Sequence, residues 1–137
     1  MAVPLRNAEI VRNGFATLAE GGYQALLPLV HREFEVTTPA TMASEPDTYR
    51  GPDGVRRWFE SFYEAMDEVE LVPRSLEEVA EDVVLAELTL RARGHRSGIT
   101  AEQQPIALIR VEDGLMRSME LFLTVEEARA AIDAPRL

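Results

Sequence analysis

The sequence contains no cysteine and only two histidines, which removes several kinds of site at once. Without cysteine, the chain can form no disulfide, thiolate nucleophile or zinc–thiolate site. His31 and His95 are too few to build a histidine-rich metal site. The sequence also lacks a serine–histidine–aspartate array, a phosphate-binding glycine loop and a nucleotide-binding fingerprint. The motifs by which many nucleophilic, metal-dependent and nucleotide-dependent enzymes are recognised are therefore missing.

Basic residues are scarce beside acidic ones. The chain has 14 lysines and arginines against 24 aspartates and glutamates, which gives a formal net charge of −10. Such a surface repels nucleic acid and anionic lipid, so we expect neither as a partner. No run reaches the ~18 apolar residues of a membrane span, and the opening MAVPLRNAEI lacks the apolar core of a secretory signal. The sequence therefore predicts a soluble, cytoplasmic protein.

The first part of the chain predicts helices. With 137 residues, the protein is most simply one domain spanning residues 1–137. Apolar residues recur at helical spacing over residues 6–20, and Gly21-Gly22 end this helix because glycine accepts the left-handed cap conformation. A shorter helix over residues 24–30 leads into the strand EFEVTTP. Residues 40–50 predict an irregular loop.

An aromatic stripe marks the clearest helix, GPDGVRRWFESFYEAM. Pro52 stands at a favourable position in its first turn. Trp58, Phe59 and Phe62 then follow at helical spacing, with charged residues on the other side. We expect this stripe to pack in the core, and the same residues can also line the wall of an internal pocket.

From Val69 onward the apolar residues alternate, which predicts strands. The alternation favours four strands and a closing helix, at residues 71–79, 82–93, 99–111, 115–124 and 125–132. Three of these strands exceed the usual ~5–6 residues, and long antiparallel strands curl readily. Helices followed by an antiparallel meander indicate an α+β domain, with the helices lying across the hollow of the sheet.

The chain resembles the nuclear transport factor 2-like superfamily, and specifically its SnoaL-like polyketide cyclase group, in three segments. These are GFATLAEGGYQALLPLVHREFEV, YRGPDGVRRWFESFYEAM and SGITAEQQPIALIRVEDGLMRSMELFLTVEEA. The resemblance implies a cone-shaped, curved antiparallel sheet wrapped around the N-terminal helices, as in a cystatin-like roll. It also implies a pocket under the helices, enzymes without a metal or organic cofactor, and a homodimer. Because the superfamily hosts many reactions and also binding domains, its fold alone selects no function.

The positions that carry chemistry in relatives depart from the pattern here. Members that resemble ketosteroid isomerase have an aspartate base before the proline of the first strand, where this sequence has Thr38. A threonine hydroxyl cannot take up a proton reversibly near neutral pH. The oxyanion-binding tyrosine matches Gly14, beside Phe15, and the acidic partner falls near Ile106 or Ala107. Steroid-isomerase chemistry is therefore not expected.

Glu120 is the remaining candidate for an acid–base group. The aspartate that cyclase-like and epoxide hydrolase-like members carry at the end of the last strand matches Thr124, which shares a strand face with Glu120 and Phe122. If that face is concave, Glu120 lies in an apolar pocket, where carboxylates serve as acid–base groups. If the parity is reversed, Glu120 lies on the outer face, in solvent or at a dimer contact.

Three functions stay open, and two of them need a small hydrophobic ligand. The first is a cofactor-independent isomerase, cyclase, dehydratase or hydrolase acting on a polyketide, steroid-like or terpenoid molecule, with Glu120 as the catalytic group. The second is a non-catalytic binding or accessory domain, and the third is a dimeric scaffold with a filled pocket. The predicted ligand contacts are Phe15, Thr38, Tyr49, Trp58, Phe59, Phe62, Ala107, Phe122 and Thr124.

Overall fold

The computed structural model describes residues 6–38, 48–63 and 66–133 of the chain. Its helices are α1 (Asn7–Leu26), followed directly by a 3₁₀ turn (Leu27–Leu29), α2 (Gly51–Tyr63) and α3 (Val125–Asp133). Its strands are β1 (Val30–Thr37), β2 (Thr48–Arg50), β3 (Met66–Ala80), β4 (Val83–Gly94), β5 (Thr100–Gln103), β6 (Ile106–Glu112) and β7 (Leu115–Phe122). The helix α1 and the described part of α2 precede most of the sheet, as the sequence predicts.

Helix α1 is interrupted where the sequence predicts its end. Gly22 has φ 74° and ψ −175°, a conformation that glycine adopts without the steric penalty of a side chain. The chain resumes helical geometry after Gly22 and tightens into the 3₁₀ turn before β1 begins at Val30. The predicted short helix over residues 24–30 is therefore the continuation of α1 beyond this break.

Helix α2 carries the aromatic stripe toward the sheet. Val55, Trp58 and Phe59 are all buried. The opposite side of the helix is charged, and Arg56 hydrogen-bonds Asp53 in the first turn, which lowers the pKa of the Asp53 carboxyl below its usual value. The helix is thus amphipathic in the sense that its sequence predicts.

The strands form one curved, unclosed sheet in the order β2-β1-β7-β6-β4-β3, with β5 beside β4. The predicted α+β fold with a curved sheet is confirmed. One pair, β1 with β7, is parallel, so the sheet is mixed where the sequence predicted antiparallel pairing throughout. The β2 strand lies in the segment predicted as an irregular loop, residues 40–50, of which residues 40–47 are outside the described residues.

The strand predicted over residues 99–111 is two strands, β5 and β6. Both pair with β4, β5 along its second half and β6 along its first half. Proline has no N–H to donate to a ladder, and Pro105 separates the two strands. Its carbonyl oxygen still accepts a hydrogen bond from the Leu88 N–H, at 2.9 Å.

The two faces of the sheet carry separate apolar clusters. The concave face packs against α1 and α2 and forms the main core, to which β4, β6 and β7 contribute Val84, Ala86, Leu88, Ala107, Ile109, Met119 and Leu121. The convex face contributes a smaller cluster that packs under α3, formed by Val83, Leu85, Ile106, Leu108 and Ala128. No helix among the described residues is long and apolar enough to cross a membrane.

Candidate functional site

The space between the helices and the concave face contains an apolar cavity of about 30 Å³. Its lining comes from α1, β1, α2, β3, β6 and β7, and every lining residue is apolar or glycine. These residues are Gly14, Phe15, Leu18, Leu26, Val30, Phe34, Val55, Trp58, Phe59, Leu71, Ile109, Met116 and Met119. A space of this size admits roughly one or two waters, but apolar cavities of this kind stay dry. We call it the inner cavity.

A second cavity of about 20 Å³ adjoins the inner cavity and has polar groups in its lining. It shares Trp58, Phe59 and Leu71 with the inner cavity, and adds Thr38, Val69, Leu90, Gln103, Pro105 and Leu121. Thr38 is 3% exposed, the one buried polar residue among the core positions described. We call this space the Thr38 cavity.

Thr38 accepts a hydrogen bond from the indole N–H of Trp58, with 2.9 Å between Oγ1 and Nε1. A threonine hydroxyl has two acceptor positions and one donor, and the indole uses one acceptor position. The bond joins the end of β1 to the middle of α2. It fixes the edge of the Trp58 ring between the two cavities.

A surface groove of about 270 Å³ lies outside the two cavities. Its lining consists of Leu18, Ala19, Phe59, Val69, Glu70, Leu71 and Val72, from α1, α2 and β3. Phe59 and Leu71 line the groove and both cavities. The Phe59 ring stacks on Tyr23 with 5.8 Å between centroids, and meets Trp58 edge-on at 4.9 Å. We call this space the outer groove.

The family model of the SnoaL-like domain matches residues 11–119, which is most of the chain. This range includes all the helical residues that line the two cavities. The protein belongs to the SnoaL-like domain family. The predicted family is thereby confirmed. A search among curated proteins finds no sequence match.

Several solved structures have a fold similar to that of this chain. An NTF2-like protein of Burkholderia thailandensis is 23% identical, with a TM-score of 0.76 over 95% of this chain and 100% of that one. TerC, co-crystallised with polyporic acid, is 20% identical, with a TM-score of 0.75 over 93% and 98%. A Mycobacterium tuberculosis protein in complex with estradiol-17beta-hemisuccinate is 15% identical, with a TM-score of 0.70 over 89% and 97%. At these identities the similarity shows the fold.

Four of the residues predicted to contact a ligand line the cavities of this SnoaL-like domain. Phe15 lines the inner cavity, Thr38 lines the Thr38 cavity, and Trp58 and Phe59 line both. The structure therefore brings Thr38 next to the aromatic stripe of α2, although 20 positions separate Thr38 from Trp58.

Three further predicted contacts have other surroundings. Tyr49 is buried in the main core, and the Arg57 guanidinium lies 5.5 Å from its ring centroid. Ala107 is fully buried on the concave face, opposite Leu121 in the ladder, and is absent from the lining of both cavities. The Phe62 side chain lies outside the described part of the structure.

The predictions for Phe122 and Thr124 as pocket residues need correction. Phe122 packs with the convex cluster under α3, because it has the opposite parity to Leu121. Thr124 is exposed and caps α3: its Oγ1 accepts a hydrogen bond from the Glu127 N–H at 3.1 Å and donates one to the Glu127 carboxylate at 3.3 Å. The T-x-x-E spacing before a helix is the capping signal that the sequence analysis overlooked.

Glu120 points away from the cavities. It stands opposite Leu108 in the β6–β7 ladder, and directly opposed residues share a sheet face, which here is the convex face of Leu108. Its side chain is exposed and lines a polar groove of about 310 Å³ together with Glu35, Arg110 and Arg117. The predicted acid–base role of Glu120 depended on apolar surroundings. In the structure its surroundings are polar and exposed.

Gly14 and Met116 form a feature of the site that the sequence analysis missed. A Cβ atom added at Gly14 would stand 2.6 Å from the Met116 Cε and 2.9 Å from its Sδ. Glycine at this position thus leaves room for the methionine to fill the end of the inner cavity. At this point of the lining the chain presents a flexible thioether to the inner cavity.

The described lining offers little acid–base chemistry. No ionisable side chain lines either the inner cavity or the Thr38 cavity, and Glu70 is the ionisable residue of the outer groove, within the described residues. No group of three or more histidine, aspartate and glutamate side chains in the described chain is placed to hold a metal ion. The arrangement favours burial of apolar surface, with Thr38 as its hydrogen-bonding group.

Replacing Thr38 by valine is expected to lower the free energy of unfolding by about 1–2 kcal/mol, because it removes the acceptor of a buried hydrogen bond. Urea unfolding followed by circular dichroism measures this loss. In a Trp58→Phe background the same substitution should cost much less, because the indole donor is already gone. An equal cost in both backgrounds would show that the hydrogen bond contributes nothing to stability.

Proposed function

We propose that this protein binds a small, uncharged, apolar molecule between its helices and the concave face of its sheet. The observation that carries the proposal is the wholly apolar lining of the inner cavity, next to the buried hydroxyl of Thr38. Burying an apolar ligand in such a lining is favourable at about 25 cal/mol per Å² of surface removed from water. An unpaired charge, in contrast, is costly to bury there.

Two similar structures support a small organic molecule as the ligand. TerC was co-crystallised with polyporic acid, and the Mycobacterium tuberculosis protein was solved with estradiol-17beta-hemisuccinate. Both are small molecules held by proteins of the same fold. Polyporic acid and a hemisuccinate both carry an acidic group, so these complexes support a small organic ligand for the present chain, and the absence of charge is argued from the apolar lining of its own cavity.

Binding without catalysis is the form of the proposal that the described residues favour. An acid–base enzyme needs a proton donor or acceptor within hydrogen-bond reach of the reacting atoms. Glu120 lies on the other face of the sheet, and the described lining of the two cavities contains no ionisable side chain. Thr38 can donate or accept a hydrogen bond and so can orient a ligand.

The ligand must displace side chains in order to enter. Pockets for small molecules have volumes of about 300–1,000 Å³, which is far above the volumes of the inner cavity and the Thr38 cavity. Phe59 lines both cavities and Met116 lines the inner cavity, and both of these side chains can rotate. Met is especially adaptable because its three side-chain bonds rotate and its sulfur is polarisable.

Trp58 provides a direct test, because it is the one tryptophan of the chain and lines both cavities. We expect a saturable change in its fluorescence when neutral polycyclic molecules, with estradiol as the first, are titrated into the wild-type protein. A Leu123→Ala variant serves as the control, because Leu123 is 48% exposed and lines neither cavity.

The control variant should give the same titration curve as the wild type. A panel of neutral two-ring to four-ring molecules that leaves the Trp58 emission unchanged would contradict the proposal. Detection of a chemically altered product after incubation would instead show an enzyme and contradict the non-catalytic form.

A further inference from the structure

The outer groove continues the ligand site, and we propose that the natural ligand is elongated and uncharged, with one end in the inner or Thr38 cavity and the other in the outer groove. The inference rests on the proposed binding function and adds the shape of the ligand and its route of entry. It assigns to Phe59 the role of a movable partition between the groove and the two cavities.

The three spaces meet at the same two side chains. Phe59 from α2 and Leu71 from β3 line the groove and both cavities. Leu18 also joins the groove to the inner cavity, and Val69 joins it to the Thr38 cavity. A rotation of the Phe59 ring away from its stack on Tyr23 therefore brings all three spaces into one.

The combined volume fits a small-molecule site, whereas the cavities alone do not. The groove measures about 270 Å³ and the cavities about 30 and 20 Å³. Together they reach the lower end of the range for ligand pockets, roughly 300 Å³. Because most of this volume lies in the groove, a ligand confined to the cavities would be very small.

The lining also limits the charge of the ligand. The groove is apolar apart from Glu70, and the whole chain has a net charge of −10. A carboxylate or phosphate on the groove end of the ligand would be repelled by both. A hydroxyl on the buried end can hydrogen-bond Thr38, which is itself buried and lines the Thr38 cavity. The chemical class is thus a neutral aliphatic or polycyclic molecule with a hydrogen-bonding end.

A series of straight-chain alcohols from hexanol to decanol tests the length of the site through Trp58 fluorescence. We expect the dissociation constant to fall about fourfold for each added methylene, as for transfer of a methylene out of water. The groove variant Ala19→Arg places a long charged side chain in the outer groove and should weaken decanol binding about tenfold and hexanol binding much less.

Ala16→Arg is the matched control, because Ala16 is also exposed on α1 but does not line the groove. It should bind every alcohol as the wild type does. If the affinity stops rising beyond hexanol, or if both arginine variants bind decanol alike, the ligand ends in the cavities and the inference is wrong while the binding function stands. If no alcohol and no polycyclic molecule changes the Trp58 emission, both proposals fail.

Discussion

Met116→Ala is expected to lower the free energy of unfolding by about 3 kcal/mol and, at the same time, to strengthen binding of an apolar ligand about tenfold. Met116 is 6% exposed and fills the end of the inner cavity beside Gly14. Truncation leaves that space empty, which destabilises the free protein. The ligand then no longer has to displace the thioether, so its apparent affinity rises. Urea unfolding and Trp58 titration with estradiol measure the two effects.

Leu85→Ala provides the matched control for Met116→Ala. Leu85 is 3% exposed, but it packs in the convex cluster under α3, on the other side of the sheet. Its truncation should cost a similar free energy of unfolding, since Leu→Ala in a core costs about 2–5 kcal/mol. It should leave the affinity for the ligand unchanged. Equal affinities in the two variants would place the ligand outside the inner cavity.

Phe59→Ala should produce the largest loss of stability, about 4 kcal/mol. The substitution removes a ring that is 6% exposed, and with it the stack on Tyr23 and the edge contact with Trp58. It also joins the outer groove to both cavities, so water reaches the Trp58 indole. We therefore expect the emission of Trp58 to shift to longer wavelength in the folded variant, which fluorescence without denaturant measures directly.

Phe122→Ala supplies the control for Phe59→Ala, because it removes the same side chain from the convex cluster. The substitution should lower the free energy of unfolding by less than Phe59→Ala does, since Phe122 is only partly buried. The emission wavelength of Trp58 should be the same as in the wild type. Phe59→Leu replaces Phe59→Ala for the emission measurement if the alanine variant does not fold. An unshifted Trp58 emission in both Phe59 variants would contradict the role of Phe59 as a partition.

The sequence predicted the fold well because its signals are local and repeated. The helical stripe of α2, the break at Gly22 and the alternation from Val69 onward each depend on residues a few positions apart. The structure differs where a signal depends on a partner strand. Pro105 divides one predicted strand, and the parallel pairing of β1 with β7 joins residues 83 to 86 positions apart, a distance over which periodicity carries no information.

The candidate site was only half predictable for a related reason. Alternation shows which residues of a strand share a face, but it does not show which face is concave. Glu120 and Phe122 were therefore grouped correctly with each other, while the side of the sheet on which they lie needed the register of β7 against β6. The Gly14–Met116 contact joins α1 to β7 and has no local signal at all.

The most direct test of ligand binding under the helices is a crystal structure of the wild-type protein with the apolar molecule that binds it most tightly. We expect the ligand between Met116 and Trp58, with the Phe59 ring moved away from Tyr23 and the far end of the ligand in the outer groove. A ligand bound instead in the polar groove beside Glu120, with the concave-face side chains unmoved, would contradict it.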